Sequence, residues 1–265
     1  MGFPAGKSVS EGTANGRGEV LIAVEHMTAE LEGNVILKDV SFEVYRGEIL
    51  VIMGRSGSGK SVLLKHMIGL YQPARGKVLV NGVNIHSAEG ESLRRVKEGM
   101  GILFQASGLL GSMTLGENVA LPLRAYRQLS TEARDLIVRM KLGMVNLAGC
   151  EELLPAELSG GMKKRAGLAR AMVLDPELLF FDEPSAGLDP VTSVEIDTMI
   201  VNINKGMGTT MIIVSHELQS ILSIAHRVIM IDQDARGIIA QGNPRELKDH
   251  SPDHRVINFL NRQSA

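Results

Sequence analysis

Tryptophan is absent from this 265-residue chain, and six Phe and three Tyr are its only Phe or Tyr rings. So small a supply gives no row of stacking platforms for bases. A net charge of −2, from 28 Lys+Arg against 30 Asp+Glu, gives no overall positive field for a phosphate backbone. Binding of nucleic acid is therefore not expected. Cysteine is nearly missing too: Cys150 is alone, which excludes a disulfide within the chain and suits a reducing compartment. Long hydrophobic runs are lacking. Stretches such as "ILVIM" and "MIIV" fall far short of the ~20 residues that span a bilayer, so any membrane role has to be borrowed from a partner. Residues 1–19 are rich in Gly and Ser without a hydrophobic block, and they read as a flexible tail rather than a signal peptide. What is plentiful is core material, 44% hydrophobic residues, enough for one large domain or two small ones.

Two styles of strand are visible. Val40, Phe42 and Val44 alternate with Ser41, Glu43 and Tyr45, and "KVLVNGVNI" continues the style with Asn81-Gly82 as a turn; these predict an antiparallel layer. "EILVIM" (48–53), "ELLFFD" (177–182) and "TMIIVS" (210–215) are nearly continuous apolar runs, as expected of central parallel strands covered on both faces. Asp189-Pro190 pairs a capping residue with proline at the first helical position, and Val191, Val194, Ile200 and Ile203 read as one apolar side up to Gly206. Asn243-Pro244 repeats the device. Residues 106–165 carry little strand signal. There Thr114 and Glu117 form a candidate capping box, and Ala133, Leu136, Ile137 and Met140 recur at helical spacing, which together suggest an inserted helical subdomain.

The chemistry gathers at strand ends. "GRSGSGKS" follows "EILVIM" directly and precedes an apolar helix, the context in which a glycine loop cradles phosphates. Gly54, Arg55, Ser56, Gly57, Ser58, Gly59, Lys60, Ser61 and the following Val62 would hold a triphosphate. Inward-pointing N–H groups and the helix N-terminus would do most of this work. Lys60 would reach the β- and γ-phosphates, and the Ser61 hydroxyl would meet Mg²⁺. "LLFFDE" ends a buried strand with two acids. Asp182 reads as the Mg²⁺ partner and Glu183 as the general base for an in-line water. His216 ends a third apolar run. By itself it could be a helix cap, but open parallel sheets bind ligands at the carboxyl edge of their strands, which places it near the γ-phosphate or the water. Gln105, after the short run "GILF", could touch metal or water while joined to a movable segment.

A second glycine pair lies in "LSGGM". Ser159, Gly160 and Gly161 open a helix whose first turn also holds Lys163, Lys164 and Arg165, cations that oppose the positive end of the helix dipole. Either this is a solvated basic face behind a serine cap, or an anion from elsewhere completes it.

In order and spacing, "GRSGSGKS", Gln105, "LSGGM", "LLFFDE", "SAGLD" and His216 resemble the motif set of ATP-binding cassette (ABC) ATPases over about residues 20–240. That resemblance implies an α/β fold, a P-loop ABC ATPase with a mixed RecA-like core sheet, an N-terminal antiparallel β layer and an inserted helical subdomain. Residues 20–105 and 166–240 would form the core, 106–165 the helical (signature) subdomain and 241–265 a C-terminal helical segment. It also implies that Ser159, Gly160 and Gly161 of one copy close the ATP site of a second, with Asp189 near the shared seam. "LFQASGLLGSMTLGENVALPLR", Met162, "SHELQSILSIAHRV" and "PDHRVINFLNR" look like the ATPase subunits of Mla-type lipid transporters. The expected partners are then an integral permease, an MCE-family lipid-binding protein and a small STAS-domain regulatory subunit, at the cytoplasmic face of the inner membrane. Where the ABC family at large stacks adenine on an aromatic residue near the first strand, this chain carries Leu31. An importer for another solute such as amino acids, and a non-transport ABC ATPase acting on nucleic acid, are the alternative readings. The long coiled-coil insertions or basic stretches that usually mark the latter are not visible.

Overall fold

A computed structural model describes residues 18–262. The expected tail lies outside them except for Gly18 and Glu19, and Glu19 is ion-paired to Arg46 at 2.8 Å.

β1 (Val20–Leu31) and β2 (Asn34–Tyr45) form a hairpin closed by Glu32 and Gly33, both at positive φ, the two-residue geometry that matches strand twist. β4 (Arg75–Val80) and β5 (Val83–Asn84) close the same way through Asn81 and Gly82. The resulting antiparallel sheet has the order β2-β1-β4-β5. Behind it runs a second sheet of β3 (Ile49–Met53), β6 (Met100–Leu103), β7 (Leu178–Asp182), β8 (Thr210–Val214), β9 (Arg227–Asp232) and β10 (Gly237–Gly242), ordered β10-β9-β3-β8-β7-β6. All of its pairings are parallel except that of edge strand β10. β9 and β10 were not anticipated; a short apolar run with charged ends, such as "RVIMID", does not distinguish strand from helix by periodicity.

The continuous apolar runs have their explanation here. Along β3, Ile49, Val51 and Met53 enter one core and Leu50 and Ile52 the other; β7 and β8 alternate likewise. One core lies between the two sheets with α1 (Lys60–Met67), the other under the helices α3 (Leu115–Tyr126), α5 (Gly160–Ala171), α6 (Pro190–Met207) and α7 (Leu218–Ile224). Phe180 and Phe181, back to back on β7, are fully buried on opposite faces, and truncating either to alanine would cost about 3–5 kcal/mol.

The helical punctuation is where it was expected. Thr114 and Glu117 form a reciprocal capping box on α3, Asp189 caps α6, and Asn243 caps α8 (Pro244–His250). Two apolar faces are not where they were expected. On α6 the buried stripe is Ile196, Met199, Ile200 and Ile203, whereas Val191 and Val194 are 71% and 60% exposed. On α4 (Thr131–Met144), Val138, Lys141 and Leu142 point inward, leaving Leu136 and Met140 exposed. The spacing was helical in both cases. Which side meets a neighbour is decided by packing, and the aliphatic stem of Lys141 can be buried while its ammonium reaches Asp175. α5 runs continuously across position 165, where the boundary between helical subdomain and core was expected. α2 (Gly90–Glu98) and α9 (His254–Leu260) complete the helices used below.

Candidate nucleotide site

β3 delivers the chain to Gly54, whose Cα faces the Ile231 carbonyl of β9; an added Cβ would lie 2.3 Å from that oxygen, so only glycine lets the loop leave the sheet here. The loop re-enters at Gly59, the N-cap of α1 at φ +99, pressed beneath Ile36 and Leu37. Lys60 is almost fully buried. Its ammonium donates to the carbonyls of Gly54 and Arg55 at 3.0 and 2.9 Å, spanning the loop from within. Burial pushes its pKa down, opposed by the carboxylates of Glu183 and Asp182. Beside it the Ser61 hydroxyl donates to Asp182 Oδ1 at 2.9 Å.

Asp182 is the last residue of β7 and Glu183 the first beyond it. Glu183 adopts a left-handed φ of 52°, a strained conformation for a residue with a side chain. Its N–H still bonds to Val214 of β8 at 3.0 Å, while its carbonyl accepts from Lys164 at 2.9 Å. Held at both backbone ends, it turns its carboxylate to Oε1···Nδ1 contact with His216 at 2.8 Å. Two adjacent acids thereby serve different partners, Asp182 the serine and Glu183 the histidine.

These groups border a cleft of about 650 Å³ lined by Gly54, Arg55, Ser56, Gly57, Gly59, Lys60, Ser61, Val62, Gln105, Glu183 and His216. Ser58 is the exception within the loop: its side chain is buried with no partner for Oγ, so any contact to an anion would come from its backbone. Asp182 stands behind Ser61. Two further residues line the cleft, Ile36 and Phe259. Leu31 does not.

Ser159, Gly160, Gly161 and Asp189 are not in that cleft. They form a separate cluster where α5 meets the start of α6. Ser159 caps α5 by accepting from Met162 N–H at 3.2 Å, a bond that leaves the hydroxyl proton free to donate. An added Cβ on Gly161 would meet Thr192 Cγ2 at 2.6 Å, so this glycine is required by helix packing. A Cβ on Gly160 would find only ordinary contact with Leu188 at 3.5 Å. Asp189 accepts from the N–H groups of Val191 and Thr192, both at 3.0 Å, and from the Thr192 hydroxyl, which holds its carboxyl below the usual range, chiefly through that hydroxyl bond.

The basic turn of α5 is not a solvated face. Lys164 shares an inward stripe with Gly161, Leu168 and Ala171, and its buried ammonium reaches the Glu183 carbonyl. Burial lowers its pKa, while the carboxylates of Glu183, Asp182 and Glu217 raise it. The anionic relief of the awkward helix terminus thus comes in part from the chain's own strand-end acids. Arg170, on the same helix, donates to the carbonyls of Gly108 and Ser107 at 2.6 and 2.8 Å, tying the loop after Gln105 to α5. Neither role was read from the sequence. For Lys164 the signal was present, a cation at helical spacing between small and apolar residues.

The ABC transporter family matches residues 37–186. The chain is 40% identical over 245 residues to the Haemophilus influenzae intermembrane phospholipid transport system ATP-binding protein MlaF, covering 92% of this chain and 91% of that one. It is 39% identical over 243 residues to the probable ribonucleotide transport ATP-binding protein mkl of Mycobacterium leprae, covering 91% and 69%. Among solved structures, a dimeric ATP-binding cassette in a post-hydrolysis state bound to ADP and Pi superimposes with a TM-score of 0.75 at 27% identity, covering 84% of this chain and 98% of that one. A Clostridium perfringens component of the ABC transporter complex cbiONQ gives 0.78 at 28% identity, covering 92% and 96%. A phosphate loop, strand-end acids and a second glycine cluster in this order, on this fold and with this similarity, establish that the chain belongs to the ABC transporter family, as an ATPase cassette.

Proposed function

We propose that this chain hydrolyses ATP to drive movement of phospholipid between membranes, acting as a pair of copies bound to an integral permease. The observation that carries the hydrolytic reading is the Glu183–His216 contact at the edge of a cleft floored by Lys60 and Ser61. In this reading the backbone from Gly54 to Ser61, with Val62 beside it, cradles the phosphates. Glu183 accepts the proton of the attacking water as the bond between the γ-phosphorus and the β-bridging oxygen breaks, releasing ADP and phosphate. His216 orients that carboxylate and faces the γ-phosphate. Gln105 reports on it through the loop that Arg170 holds against α5.

The donor set fits Mg²⁺. Ser61 and Asp182 are two adjacent oxygen donors, 2.9 Å apart. That matches an ion that keeps most of its ligands as water and phosphate oxygen. Ser61 and Asp182 would hold it, with Gln105 nearby, and the ion would neutralise charge on the phosphate oxygens.

Ser159, Gly160, Gly161 and Asp189 would serve a second copy, roofing its nucleotide, since they stand outside the cleft of their own chain. Residues 20–105 and 166–240 would act as the ATPase core, 106–165 as the subdomain that grips the permease, and 241–265 as a C-terminal helical segment. No helix among the described residues is long and apolar enough to cross a membrane, in keeping with attachment through the permease at the cytoplasmic face of the inner membrane. An MCE-family lipid-binding protein and a small STAS-domain subunit are the further partners of this reading; nucleic acid is not. Phospholipid is favoured over ribonucleotide as cargo because similarity to the phospholipid-named relative extends along 91% of that protein, against 69% for the ribonucleotide-named one. The test is reconstitution of the complex, purified through this chain, into donor vesicles, with fluorescent phospholipid transfer followed on adding ATP. Transfer that needs ATP and stops in Glu183→Gln is expected. ATP-dependent movement of nucleotide or amino acid without lipid would overturn the cargo reading.

A further inference from the structure

The cleft has two different ends. Sheet order places β3 between β8 and β9, so Glu183, His216 and Gln105, which follow β7, β8 and β6, all approach the phosphate loop from one side. Phe259 approaches from the other. It projects from α9, which is pinned beside β9 by Arg255 donating to Asp232 at 2.7 Å and by the wholly buried Val256 and Leu260. Ile36, which packs over Gly59, also lines the cleft. A triphosphate whose terminal phosphorus faces Glu183 has to extend its base toward the opposite end of the cleft. Phe259 is the only Phe, Tyr or Trp ring lining the cleft among the described residues.

We propose that Phe259 is the platform for the nucleotide base, held at the cleft by α9, so that a residue near the C-terminal end of the chain does the work for which Leu31, outside the cleft, is unsuited. This rests on the ATP-binding reading above. A flat hydrocarbon ring has no polar atom with which to read a base edge, so it would hold purines by their faces, and adenine and guanine nucleotides would depend on it alike.

Calorimetric titration of the full chain separates base from phosphate. Phe259→Ala is expected to weaken ADP and GDP about tenfold while leaving inorganic tripolyphosphate unchanged, since stacking a base on an aromatic ring contributes on the order of a factor of ten. Phe259→Trp keeps the platform and adds a reporter to a chain that has no other Trp. It should bind ADP at least as tightly as the native chain and change emission with ADP but not with tripolyphosphate. ADP affinity unchanged in Phe259→Ala, or Trp emission indifferent to saturating ADP, would overturn the proposal. So would equal losses for ADP and tripolyphosphate, which would mark a folding defect or a structural role. Lys60→Ala distinguishes the two layers: if it loses both ligands while Phe259→Ala loses neither, the ATP site stands and the platform falls. If the native chain binds neither ligand, both fall.

Discussion

The two glycine loops of this chain are built from similar residues and end in opposite situations. Gly54 to Ser61 is enclosed by its own chain: an ammonium spans it from within, a serine–carboxylate pair stands beside it, and Glu183 and His216 face it. Ser159 to Gly161 is backed by Leu188 and by Thr192 of α6, with Ser159 and Gly160 exposed and none of the three lining the cleft that holds Glu183 and His216. Glycine content therefore does not define a site. What differs is the sheet: the first loop leaves a central strand, where parallel topology gathers the ends of β6, β7 and β8, whereas the second opens a helix at the periphery.

The largest effect is expected at the enclosed loop. Glu183→Gln removes the proposed base but keeps size and hydrogen bonding, so turnover should fall by at least about 100-fold with ATP affinity retained. Steady-state phosphate release alongside equilibrium binding checks this, and near-native turnover would remove Glu183 from the chemistry. The next effect tests whether the open loop is completed in trans. Lys60→Ala spoils the enclosed half and Gly160→Asp puts a carboxylate on the open half at a position with room for it. Each alone should be inactive. Mixed in equal amounts, random pairing leaves one intact composite site in half of the dimers, restoring about a quarter of native turnover. No recovery on mixing would sink the shared-site geometry.

The smallest effect separates the two glycines of the open loop. Gly160→Ala should be neutral or slightly stabilising, as alanine in a helix usually is, whereas Gly161→Ala should cost about 1–3 kcal/mol because its methyl meets Thr192. Chemical denaturation of both variants reads the difference. Equal stabilities would show that α6 can retreat from α5.

Much of the enclosed half was legible in the amino-acid order. Gly54, Lys60, Ser61, Asp182, Glu183 and His216 each follow a recognisable apolar run, and a strand end is a local feature. The split between Asp182 and Glu183 was also foreseeable in kind, although its means, a left-handed φ at Glu183 gripped by Lys164, was not. The inward faces of α4 and α6 were misjudged for a related reason: helical periodicity gives the spacing of a stripe, but Val194 and Leu136 are as apolar as residues that packing buries. That Phe259 lines the cleft was invisible because no motif surrounds it. Its position depends on an ion pair between Arg255 and a strand-end aspartate 23 residues earlier.

By itself, the order of residues determined the phosphate loop, the buried strands, the helix caps and the identity of the acids, because these depend on backbone sterics and on partners a few positions away. Chain folding in three dimensions was needed to bring the acids that follow β7 and the histidine that follows β8 to a cleft that Phe259 also lines. Only it left the second glycine loop facing outward. Those outcomes depend on strand order and on which surfaces of rigid helices touch, and these are set by the packing of segments distant in the chain.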